Sequence, residues 1–80
     1  MARSEETVAL RNVIAERLAQ DAEWGEQNHA PIKWLAILAE EIGEAAKCAL
    51  EGRGIKYRNE MVQVAAVAVA AVECFDRIRL

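Results

Sequence analysis

Aromatic side chains are scarce in this chain: two Trp, one Tyr and one Phe make up 5% of 80 residues, although 54% of the residues are hydrophobic. A core filled by large rings is therefore excluded, and packing must rest on Ala, Val, Leu and Ile. One proline and four glycines leave too few turn formers for a many-stranded sheet and favour a few long helices. A single histidine and two cysteines without CxxC spacing argue against a zinc site. Cys48 and Cys74 each fall within a helical pattern and read first as buried free thiols, with a bridge between them as the alternative. There is no basic excess either, since 13 acidic residues outnumber 10 Lys and Arg. Nucleic-acid binders usually carry the opposite balance and a basic recognition helix, so that class is disfavoured. No apolar stretch follows the charged opening Met1 to Thr7. The apolar run Met61 to Phe75 is broken by Gln63 and Glu73 and is shorter than the roughly 20 residues that span a bilayer. The expectation is a soluble, cytoplasmic protein with no membrane and no nucleic-acid partner.

What is present fits one all-α domain over residues 1–80, with more apolar surface than so short a chain can hide alone. Ser4 followed by Glu5 and Glu6 has the form of an N-cap, and the apolar positions Val8, Leu10, Val13, Ile14 and Leu18 carry a first helix over about 4–23. Pro31 suits the first turn of a second helix over about 31–51, which Gly52 stops. A connector, Arg53 to Lys56, leads to a third helix over about 57–78. That helix contains a run from Val64 to Val72 made only of Ala and Val. A helix apolar on every side belongs in the middle of something, and the simplest cover is a second copy. The three helices are thus expected to build a bundle by homo-oligomerisation, as a dimer or tetramer.

Helical spacing of about 100° per residue also sorts the carboxylates. On the second helix Leu35, Leu38, Ile42, Ala45, Ala46 and Ala49 form a broad apolar stripe, and Lys33, Glu40, Lys47 and Glu51 gather on the wet side. Glu41 stands apart from them, between Trp34, Ile37, Ala45 and Cys48, with Glu44 one turn on. On the third helix Glu60 and Gln63 share a face with Val64, Val67, Ala71 and Cys74. An acid in line with apolar residues is costly to bury unless a cation compensates it. Carboxylates at i, i+3 on two facing helices bracket hard divalent ions in other helical bundles. The plain alternative is a set of rim charges paired with Lys47, Lys56 or Arg58.

Trp24, Gln27, His29 and Pro31, followed by Glu40, Glu41 and Glu44 and then by Glu60 opening a helix after a short loop, resemble the MazG-like all-α NTP pyrophosphohydrolases. The acidic motif of that family is EExxE, a spacer, then ExxD. The tract from Trp24 to Glu44 is also similar to the related dCTP pyrophosphatases, and the likeness covers roughly residues 18–73. The resemblance implies a Mg²⁺-dependent enzyme, with Mn²⁺ as an alternative, that splits a nucleoside triphosphate into monophosphate and pyrophosphate. Carried over, the metal positions are Glu41, Glu44, Glu60 and Gln63, with Glu40 as an outer acceptor or base. Gln63 departs from the family Asp and removes one negative charge. No P-loop is present, so phosphates would fall to the metal and to basic residues beside the loop: Arg53, Lys56 and Arg58. Trp24, Gln27, Asn28 and His29 have the chemistry to stack on and hydrogen-bond a base, and Tyr57 to pack on a sugar. Glu73 and Asp76 form a rival ExxD, but they lie roughly 140° around the helix from Glu60 and Gln63, and read as a solvated end paired with Arg77 or Arg79. Gln63 also motivates a second reading, a catalytically weak or inactive helical module that binds nucleotide or serves as a dimerisation scaffold.

Overall fold

The structure is a computed structural model that describes residues 3–78. Its three helices are α1 (Ser4–Trp24), α2 (Pro31–Leu50) and α3 (Gly54–Ile78), and no strand occurs among the described residues. The Ala/Val run, whose β-branched valines also suit a buried strand, is helical throughout. Arg79, named above as a partner for the helix end, lies outside the described residues.

Three expectations at helix ends are corrected. Arg3, not Ser4, holds the N-cap position of α1, and no side chain caps it. Ser4 is already helical, with its hydroxyl donating to Glu5 at 3.4 Å. α1 runs one residue beyond the expected end at 23, with Trp24 in its last turn. The third helix starts at Gly54, not Tyr57, because the connector is tighter than it reads. Gly52 adopts φ 70° and the Arg53 N–H donates to the Cys48 carbonyl at 2.9 Å, which reverses the chain at once. The Tyr57 N–H then donates to the Arg53 carbonyl at 2.7 Å and closes the first turn of α3.

Gly52 stands in the left-handed region, where an L side chain strains the backbone, and no atom lies within 4 Å of the position a Cβ would take. Gly52→Ala therefore isolates backbone strain. It is expected to cost about 1 kcal/mol and to lower the melting temperature by about 4–8 °C, measured by circular dichroism.

α3 is the central helix, as its composition implies. α2 packs antiparallel along one side of it and α1 along another, while α1 and α2 do not approach each other. The core is the α2–α3 seam: Trp34, Val67, Ala70 and Cys74, with Ile37, Leu38 and Ala71 against them. This corrects the apolar stripe of α2. The face turned to α3 is Trp34, Ile37, Leu38, Ala45 and Cys48, whereas Leu35, Ile42, Ala46 and Ala49 are exposed. α2 has two apolar faces, and sequence spacing could not say which one its own chain covers. Both cysteines are free and buried, as read.

α1 buries no residue at all. It turns Asn12, Glu16, Arg17 and Gln20 toward α3 and the ridge Leu10, Ile14 and Leu18 outward, each of the three more than half exposed. The accessible surface is 5858 Å², whereas a compact monomer of this mass exposes about 4,800 Å². The radius of gyration is 13.5 Å, against about 12 Å for a compact chain of this length.

Candidate functional site

Because α1 and α2 stand apart, α3 forms the floor of a cleft between them, of about 640 Å³. Its walls are Glu16, Gln20, Glu23 and Trp24 on α1, Gly25 to Gln27 in the connection, Trp34, Ile37 and Glu41 on α2, and Gln63, Val67, Ala70, Glu73 and Arg77 on α3. Carboxylates of Glu16, Asp21, Glu23, Glu26, Glu41 and Glu73 outnumber the cations of Arg17 and Arg77. A smaller hollow of about 390 Å³, between α1 and the start of α3, is lined by Asn12, Ala15, Arg58, Asn59 and Val62, and shares Glu16 and Gln63 with the cleft.

Glu41 occupies the middle of the α2 face that packs on α3. Trp34, Ile37, Ala45 and Cys48 all project within about 40° of it on an ideal helix. Its carboxyl is half-buried and its pKa is raised above the ordinary 4.5, first by burial and then by the charges of Glu60, Glu44, Glu40 and Glu16. The acids expected to meet Glu41 thus act on it from α2 and α3, and Glu16 joins them from α1. Gln63 reaches the cleft, and Glu60, one turn before it, is half-buried. Glu40 and Glu44 are exposed. Among the described residues no three His, Cys, Asp or Glu side chains stand close enough to grip a metal ion together. The acidic neighbourhood is present, but its side chains are not drawn onto one point. Mutual repulsion alone spreads unneutralised carboxylates.

The remaining sequence candidates separate. Trp24, at 63% exposure, and Gln27 stand on the cleft wall. Asn28 does not: its carbonyl oxygen accepts from Arg77 at 2.9 and 3.2 Å, and its amide donates to Glu26 at 2.9 Å. His29 lies edge-on to Trp34, ring centres 4.9 Å apart, and its carbonyl accepts from the Cys74 thiol at 3.6 Å. Both residues hold the connection to the body of the protein. Trp34 is core, with an indole Nε1 that is buried and without a partner. Arg58 donates to Asn12 at 2.8 Å and faces the smaller hollow. Arg53 turns back onto Glu51 at 3.1 Å. Lys56 and Tyr57 are exposed in the first turn of α3 and line neither hollow. The early start of α3 winds these residues around a helix instead of leaving them in a loop that could bend inward.

Glu73 is the partner of Arg17 on α1, at 2.7 Å, not of a residue on its own helix end. Arg17 also meets Asp21 at 3.0 Å. Burial works against the Arg17 charge, but hydrogen bonds and charges from Glu73 and Asp21 more than offset it, so its pKa is raised. This cluster and the acids of α1 were missed by sequence reasoning. Their signal was visible: Asn12, Glu16, Gln20 and Glu23 recur at helical spacing along one stripe. A polar stripe is ordinarily the wet side of a surface helix, and here it lines a cleft.

Comparison of the chain with protein-family models, curated proteins and solved structures yields no match in any of the three.

Proposed function

We propose that the protein is a Mg²⁺-dependent nucleoside triphosphate pyrophosphohydrolase of the MazG-like kind, working as a homo-oligomer with the cleft as its active site. One observation carries the reading: Glu41 sits at the centre of a packed helix face, on the wall of a cleft, with carboxylates of all three helices acting on it. An acid in that place is expensive unless a cation compensates it. The cleft cations do not serve, since Arg17 and Arg77 are already taken by Glu73, Asp21, Glu26 and Asn28. A triphosphate entering so acidic a cleft needs divalent cations for the same reason.

In this reading Glu41, Glu44, Glu60 and Gln63 hold the metal, which neutralises phosphate oxygens and lowers the pKa of a bound water. Trp24 offers an exposed ring for a base, and Gln27 and Gln63 offer amides in the same cleft. The family resemblance of the tract Trp24 to Glu44 supports the reaction class. The test is pyrophosphate release from a panel of NTPs and dNTPs with Mg²⁺ or Mn²⁺. No release from any of them removes the assignment.

The second reading, a nucleotide-binding relic or a dimerisation scaffold, is favoured by the spread of the carboxylates and by Gln63. Calorimetry separates the two: nucleotide binding without turnover marks the relic, and binding of neither metal nor nucleotide marks the scaffold. Gln63→Asp restores the family acid. It is expected to tighten divalent binding about tenfold, because charge count tunes affinity at oxygen sites. Metal titration by calorimetry checks this, and unchanged affinity takes Gln63 out of the metal set.

A homo-oligomer is supported by surface area. The excess of about 1,000 Å² over a compact monomer is close to the roughly 800 Å² that each partner buries in a standard interface.

A further inference from the structure

We propose that Arg77 is the positioning residue of the cleft mouth: it pins the connection Gly25 to Ala30 to the end of α3, and so sets how tightly the cleft holds its ligand. The second half of that statement rests on the nucleotide reading above; the first half does not.

α1 and α2 make no contact with each other, so the width of the cleft depends on how each is fixed to α3. The connection between them has no secondary structure of its own. It leaves α1 at Gly25, whose φ of 73° and ψ of −171° suit only glycine and turn the chain sharply away from the helix axis. From there it crosses the C-terminal end of α3, and the contacts gather on one side chain. Arg77 Nη2 donates to the Gln27 carbonyl at 3.0 Å and to Asn28 Oδ1 at 2.9 Å, and Nε donates to the same Asn28 oxygen at 3.2 Å. Glu26 lies 3.5 Å from Nε and also accepts from the Asn28 amide at 2.9 Å, which closes the ring. One turn earlier on α3 the Cys74 thiol reaches the His29 carbonyl.

Three features make this an anchor rather than a passing surface contact. The guanidinium is a planar fork that bonds a backbone carbonyl and a side-chain oxygen together, which an ammonium cannot reproduce. It stands in the last turn of α3, where the helix dipole favours a cation. The residues it holds run directly into the cleft wall, since Trp24, Glu26 and Gln27 all line it. With Nε and Nη2 spent on the connection, Arg77 acts on a ligand through the wall it positions.

The full chain, as wild type and as Arg77→Ala, Arg77→Lys and Asn28→Ala, would be titrated with a non-hydrolysable deoxynucleoside triphosphate, read by tryptophan emission. Turnover and amide exchange of residues 25–29 would be measured alongside, with helicity checked by circular dichroism. Arg77→Ala is expected to weaken affinity and raise KM by about tenfold, with kcat changed less than about threefold, and Arg77→Lys and Asn28→Ala should move the same way, because each removes charge-assisted bonds between Arg77 and the connection. Combining Arg77→Ala with Asn28→Ala should cost little more than Arg77→Ala alone, which already removes both bonds between the two side chains. Amide exchange across 25–29 should quicken in each. Affinity retained by Arg77→Lys would overturn the proposal, since charge alone would then suffice. Unchanged exchange across 25–29 would overturn it as well. A wild-type chain that binds no nucleotide overturns the affinity claim together with the nucleotide reading, whereas quickened exchange in all three variants would still support Arg77 as the anchor.

Discussion

Glu41→Gln is expected to lower pyrophosphate release by about 100-fold or more while making the metal-free protein more stable at neutral pH. The two effects have one cause. Burial and the charges of Glu60, Glu44, Glu40 and Glu16 raise the Glu41 pKa, so folding disfavours its ionised form. Below the ordinary value of 4.5 the carboxyl is protonated in the folded and unfolded chains alike, and no penalty exists. As pH rises past that value the unfolded chain releases the proton first, and wild-type stability falls until the folded carboxyl has ionised too. Glutamine carries no such penalty. The variant's advantage is therefore full at neutral pH and vanishes in acid. Glu41 is only half-buried, so solvent screens the interaction, and the gain in melting temperature should be modest, about 2–5 °C. Mg²⁺ should reverse the order by stabilising wild type through mass action and the variant hardly at all. Melts in chelator and in Mg²⁺, at neutral and acidic pH, together with the turnover assay, decide the matter. Undiminished turnover in the variant removes Glu41 from the chemistry. A variant no more stable than wild type in chelator removes the repulsion argument.

Replacing Ile14 and Leu18 together by Glu should dissociate the homo-oligomer and leave a helical monomer. Both side chains are among the most exposed apolar groups of α1, at 60% and 65%, and they lie one turn apart on the side away from α3. Covering one such side chain contributes about 1.5–3 kcal/mol. Losing two weakens association by about 100-fold or more before the cost of burying two carboxylates is counted. Because neither residue touches the core of its own chain, helicity should survive, which separates loss of assembly from loss of folding. Sedimentation equilibrium of wild type and variant gives the answer. A monomeric wild type sinks the oligomer proposal, and an intact oligomer in the variant moves the interface from α1 to the bare faces of α2 and α3.

How far the sequence reached differs from residue to residue. Pro31 and Gly52 punctuate the chain through their own backbone chemistry, so the bounds of α2 were legible to within one residue. The all-round apolar character of the Ala/Val run marked α3 as central. The eccentric position of Glu41 among apolar neighbours was legible from a period of 3.6 alone, and it is the residue on which the carboxylates act. By contrast, Leu35 and Ile42 look no less buried on paper than Trp34 and Cys48, yet α3 covers only the second pair. Asn28 and His29 have the chemistry to read a base, yet Arg77 and Trp34 claim them. Glu73 looked like a solvated end, yet it ties α3 to Arg17.

By itself the sequence determined three helices, the helix that lies at the centre and the acid set among apolar neighbours, because these follow from local propensity and from a period that each helix carries along its own axis. Only the tertiary structure decided which apolar face of α2 is used, that α1 turns its polar stripe inward to wall a cleft, and that Arg77 holds the connection between them. Those are choices between faces and partners of similar chemistry, and they are settled by how rigid helices pack together, which no single helix encodes.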